Sequence, residues 1–114
     1  MTVHQLELTG FEAETVLLPD ENGDAVEAIR VTVYGPAFPQ RALLPELWVG
    51  KARAERVTIA SDGRSLRGYL RARPPDQSSI VVRYGASQRG TLDRVLRHRL
   101  IRPLPKGCRD VTAG

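Results

Sequence analysis

Cysteine occurs once in this 114-residue chain, at Cys108, tryptophan once, at Trp48, and lysine only twice, at Lys51 and Lys106. A single cysteine excludes an internal disulfide, which agrees with a reducing compartment. Long apolar runs are missing too: "TVLLP" and "SIVV" fall far short of the ~20 residues that span a bilayer as a helix. The opening "MTVHQLELTGFEAE" has neither a basic start nor an apolar stretch before its acids, so it does not read as a secretory leader, and a cytoplasmic location is expected. The two histidines, His4 and His98, stand far apart, and the nearest sulfur to either is Cys108, ten residues beyond His98. That spacing suits neither a zinc site nor a Cys-His pair, the less so because proline and glycine flank Cys108. With no G-x-S-x-G elbow, phosphate-binding loop or H-E-x-x-H motif, a small-substrate enzyme is the least favoured class and no cofactor is expected.

What remains is an ordinary globular composition, 41% hydrophobic and 26% charged. The length predicts one domain with one core, over residues 1–104, followed by a tail over 105–114 that Pro103 and Pro105 bar from helix. Charge is distributed unevenly. Residues 1–30 hold seven acids against Arg30 alone, a net of −6, so with +4 overall the rest of the chain carries +10. Such a split marks either a nucleic-acid surface or acidic early strands lying beside basic late ones and neutralising them.

Alternation of period two, β-branched residues and regularly spaced turn pairs predict an all-β chain of about seven strands. The clearest unit is "RVTIASDGRSLRGYLRA", where Asp62-Gly63 suits a two-residue type I′ turn. Closing it sets Ile59 opposite Leu66 and Thr58 opposite Arg67. Val57, Ile59, Leu66, Gly68, Leu70 and Ala72 then share the buried face, and Thr58, Arg67, Tyr69, Arg71 and Arg73 the outer one. "AIRVTVYGP" alternates in the same way, with Ile29, Val31 and Val33 on one side. Asn22-Gly23 is another hairpin signal, but a two-residue turn there would oppose Leu18 to Glu27, so a longer acidic loop is expected. Shorter strands are expected at Val3 to Thr9, Pro45 to Gly50 and Ser79 to Tyr84. "TLDRVLRHRLIRPLP" supports two readings: Leu92, Val95, Leu96 and Leu100 recur at helical spacing, yet a final strand or short turn fits better with the rest.

The run from Val31 to Tyr84 resembles the IPT/TIG domains in "VTVYGPAF", "LWVGKARAERVTI", "SLRGYL" and "IVVRYG", in that order and at similar spacing. The resemblance covers about half the chain. It implies an immunoglobulin-like two-sheet sandwich of the kind used for recognition, spacing or dimerisation.

The expected function is a non-enzymatic protein–protein interaction or assembly module, its partner another protein, with a second copy of this chain among the candidates. If Leu47 and Val49 point inward, Trp48 is presented outward, whereas a slip of one residue would bury it. Arg67, Tyr69, Arg71 and Arg73 form a basic face round one aromatic ring, suited to stacking and anion contact or simply to solvation. From Arg89 to Asp110 seven bases, Arg94 and Arg97 among them, stand against two acids. The alternative is therefore an anion-binding module that touches nucleic-acid backbone, which requires these arginines to share one face. No membrane partner is expected.

Overall fold

The computed structural model describes residues 4–39, 44–85 and 88–104; Lys106, Cys108 and Arg109 of the expected tail, and Val3 of the first expected strand, lie outside them. Among the described residues ten strands form two sheets: β1 (His4–Gln5), β2 (Gly10–Pro19), β3 (Ala25–Tyr34), β4 (Glu46–Val49), β5 (Ala52–Arg53), β6 (Glu55–Ile59), β7 (Ser65–Leu70), β8 (Ser78–Tyr84), β9 (Gln88–Leu96) and β10 (Ile101–Arg102). Sheet I has the order β10-β2-β3-β7-β6 and sheet II the order β1-β9-β8-β4-β5. Seven of the strands are four residues or longer. Lettered A to G in chain order, those seven give A-B-E-D in sheet I and G-F-C in sheet II, which is the immunoglobulin strand order. The fold is thus an all-β, immunoglobulin-like sandwich. Among the described residues the only helical element is one 3-10 turn, His98–Leu100.

The core follows from the alternation. Val31, Val33, Leu66 and Leu70 of sheet I meet Leu47, Val49, Ile80, Val82 and Leu96 of sheet II, all essentially inaccessible to water. Truncating any of the leucines would cost about 2–5 kcal/mol, because the rigid sheets cannot close over the cavity. Gly68 faces the opposite layer without a side chain. A Cβ there would lie 2.8 Å from Ala54 Cβ and 3.0 Å from Leu47 Cδ2, so the missing side chain is what seats Leu47.

The hairpin β6–β7 has the expected register, with Ile59 opposite Leu66 and Thr58 opposite Arg67. Its turn is of another type. Gly63 is left-handed (φ 71°) but Asp62 is not, and Gly63 N–H bonds Ala60 C=O while Ala60 N–H bonds Ser65 C=O. The connection is a four-residue loop built on a turn, not a two-residue type I′ turn, because the Asp62 carboxylate accepts from Arg64 N–H and favours the open form. One inward placement changes: Ala72 is exposed because β7 ends at Leu70. Val57 keeps its place against the core, although a bulge between Glu55 and Thr58, with Arg56 at φ 55°, interrupts β6 and leaves it half-buried.

The β2–β3 hairpin is longer than a two-residue turn allows, as expected: Leu18 pairs with Val26, and Glu21, Asn22 and Gly23 form the loop. Asp20 Oδ1 accepts from both Asn22 N–H and Asp24 N–H at 2.9 Å, and Gly23 takes the left-handed position. Residues 88–96 are strand. Leu92 opposes Ile80 and Leu96 opposes Ser78, so four residues of β9 run against two of β8. The apparent helical spacing of Leu92 and Leu96 is a bulged strand's, with Arg94 at φ 50° and its N–H on Ser79 Oγ.

Candidate interaction surface

The outer face of sheet I is a ladder of opposite charges. Glu14 on β2 pairs with Arg30 on β3, which lies opposite Tyr69 on β7, which in turn lies opposite Glu55 on β6. The Glu14 carboxylate first, and the Tyr69 hydroxyl after it, hold the Arg30 guanidinium above its ordinary range. Arg71 donates to Glu55 Oε1 through Nε (3.1 Å) and Nη2 (2.9 Å), and its Nη2 also reaches Pro19 C=O at 3.0 Å. Arg102 stands 3.6 Å from Glu12. Acidic early strands therefore lie beside basic later ones. Tyr69 is wedged within this ladder, half-buried, and its row mate Arg67 is exposed between Thr32 and Thr58.

The outer face of sheet II is different in kind. Leu47 and Val49 are fully buried, so Trp48 between them turns outward, as expected if the register holds. It is half-buried there, between Arg53 of β5 on one side and Val81 of β8 on the other, with Thr91 of β9 beyond. One residue pair further along lie Glu46, Arg83 and Arg89 in a row across β4, β8 and β9. Trp48 Nε1 donates to Glu46 Oε1 at 2.8 Å, Arg83 Nη2 donates to the same oxygen at 3.0 Å, and the Arg83 guanidinium carbon lies 5.9 Å from the indole centroid. The Trp48 indole N–H, and next to it the Arg83 guanidinium, hold the Glu46 carboxyl below the usual carboxylate range.

Two guanidiniums on this face differ from Arg83. Arg53 and Arg89 are exposed and make no ion pair among the described residues. Arg89 also lies directly opposite Arg83, a like-charge cross-strand pair that is unfavourable by itself. Trp48, Gly50, Val81, Arg83 and Arg89 line a shallow depression of about 250 Å³, too small and open to enclose a drug-sized ligand.

The expected binding residues do not converge. Arg67 and Tyr69 belong to sheet I and Trp48 to the far side of sheet II, while Arg71 and Arg73 follow the end of β7, Arg94 sits in the β9 bulge and Arg97 precedes the 3-10 turn, these last four exposed. His98 joins two connections rather than serving a site: its N–H donates to Asp76 Oδ1 (2.7 Å) and its Nε2 lies 3.1 Å from Pro74 C=O. Among the described residues no three His, Cys, Asp or Glu side chains stand together as metal ligands, and no helix is long and apolar enough to cross a membrane. Glu46, Arg53, Val81 and Arg83 are absent from the sequence-based set, and Arg89 entered it only as the first of the late basic run. The alternation of Val81 and Arg83 against Ile80, Val82 and Tyr84 marks the first two as outward, but only the pairing of β8 with β4 brings them to Trp48.

An immunoglobulin-like sandwich with an indole and guanidinium surface on one outer face is the class that fold and surface define. No protein family, curated protein or solved structure matches the chain.

Proposed function

We propose that this chain is a non-enzymatic protein–protein interaction module that binds an acidic, partly apolar protein surface through the Trp48 face of sheet II. The observation that carries this is the company Trp48 keeps: an outward indole held in one orientation by Glu46 and Arg83, flanked by Arg53 and Arg89, which make no ion pair among the described residues. Interfaces concentrate tryptophan and arginine at their centres, and an indole fixed before binding loses little rotamer entropy on contact. A resemblance to IPT/TIG domains supports the same reading, as recognition and dimerisation are among the uses such modules have. Nucleic acid is the second reading. It draws on the indole and guanidinium chemistry of this face, but the arginines are divided between the two outer faces, which leaves a short phosphate track on either.

The test is a photoreactive residue at Val81, beside Trp48, in the cells that produce the protein. Protein adducts that disappear when Trp48→Ala is added are the expected outcome. Nucleic-acid adducts would move the assignment to the second reading, and adducts indifferent to Trp48→Ala would overturn both.

A further inference from the structure

The part of sheet I furthest from its neighbours is the end of the β2–β3 hairpin. Strand β7 pairs with β3 only as far as Ile29 opposite Leu70, and β10 pairs with β2 only at Ala13 and Glu14. From Val16 to Ala28 the sheet is therefore two strands wide, an arm on a molecule 56 Å long and 30 by 24 Å across. Two-stranded ribbons are marginal by themselves. This one exposes Leu17 on one face, at 37%, and Val26 on the other, at 39%, and Val26 lies beside a loop whose Glu21 and Asp24 make no ion pair among the described residues. The Asp20 carboxylate is occupied in capping the loop.

Arm and Trp48 face are complementary: carboxylates outside any ion pair beside Val26 on one, guanidiniums outside any ion pair beside an indole and Val81 on the other. They cannot meet within one molecule. The arm extends sheet I and is tied to that sheet's outer side by Arg71 on Pro19 C=O, whereas the Trp48 face is the far side of sheet II. A second copy can bring them together, and since each chain has one arm and one face, a two-fold dimer closes with both contacts made. The second contact is then intramolecular and benefits from a high effective concentration.

Resting on the function proposed above, we infer that the occupant of the Trp48 face is the acidic β2–β3 arm of a second copy, exchanged reciprocally in a two-fold dimer. Sedimentation of the whole chain tests this with two charge-reversed variants. Glu21→Arg/Asp24→Arg makes the arm basic and leaves Asp20 to hold the loop; Arg53→Glu/Arg89→Glu makes the face acidic. Wild type sediments as a dimer at micromolar concentration and weakens as salt rises. Each variant alone has like charges at both contacts and sediments as a monomer. Mixed, they form a heterodimer, since one supplies two basic surfaces and the other two acidic ones. The milder Glu21→Gln/Asp24→Asn, which leaves the fold untouched, raises the dimer dissociation constant about tenfold, the effect of ~1.4 kcal/mol. A monomeric wild type, variants that still self-associate, or a mixture of folded variants that stays monomeric would each overturn the inference. Crosslinking at Val81 to a different protein would leave the interaction module standing with another occupant.

Discussion

Leu47 and Trp48 are neighbours on β4 whose environments divide folding from recognition. Leu47 fills the space that Gly68 leaves open in the opposite sheet, and this fit fixes the strand's facing and turns Trp48 out. Glu46 then holds the indole in place. Because its carboxyl is kept below the usual range by Trp48 and Arg83, the contribution of this contact is full above the ordinary glutamate pKa of about 4.3 and is lost as pH falls through the lower folded value. The chain has one tryptophan, so its emission reports this site alone. An acid titration of the emission should show a midpoint below the ordinary glutamate value, and Glu46→Gln, which keeps an acceptor oxygen but cannot ionise, should remove the transition. A wild-type midpoint at or above that value would mean that Glu46 is not held by Trp48 and Arg83. The alternation of Leu47, Trp48 and Val49 showed only that Trp48 faces the opposite way from its neighbours; which side is inward depended on the register, and the fit of Leu47 against Gly68 decides it. The partners of Trp48 were not legible, since no local pattern tells which strand lies next to β4.

Strand β9 shows how an element can be mistaken when its regularity is broken. Leu92, Val95 and Leu96 repeat as a helix face would, yet they belong to a strand in which a bulge inserts two residues between Leu92 and Leu96. Bulges are where period-two reading fails, as they do again at Arg56 on β6. The hairpins fared better, because Asn-Gly and Asp-Gly pairs place a turn whatever its type. Arg94 is the sensitive point of β9. It holds φ at 50°, a left-handed conformation that costs an L-residue roughly 1–2 kcal/mol and a β-branched one more. Arg94→Val should therefore lower stability by more than ~1 kcal/mol, several degrees in a thermal melt, while Arg94→Gly should melt with wild type or above it. If the valine variant melted with wild type, the bulge would not be where the structure puts it.

At the scale of the whole molecule, the charge asymmetry of the sequence is resolved in two ways. Glu12 and Glu14 are neutralised within sheet I by Arg102 and Arg30, so part of the split between acidic start and basic remainder is simply folded together. The rest survives as an acidic arm at one end and unpaired arginines round Trp48 on the opposite layer. Total charge could not have separated these outcomes, because they depend on which strands become neighbours. The two outer faces are proposed to have different tasks: sheet I carries a ladder of internal ion pairs, with Arg67 left exposed, and sheet II a binding surface. The most direct test places the same photoreactive side chain on each face in turn, at Val81 beside Trp48 and at Thr58 opposite Arg67. Protein adducts from position 81 with few or none from position 58 are predicted; adducts from 58 with none from 81 would contradict the account.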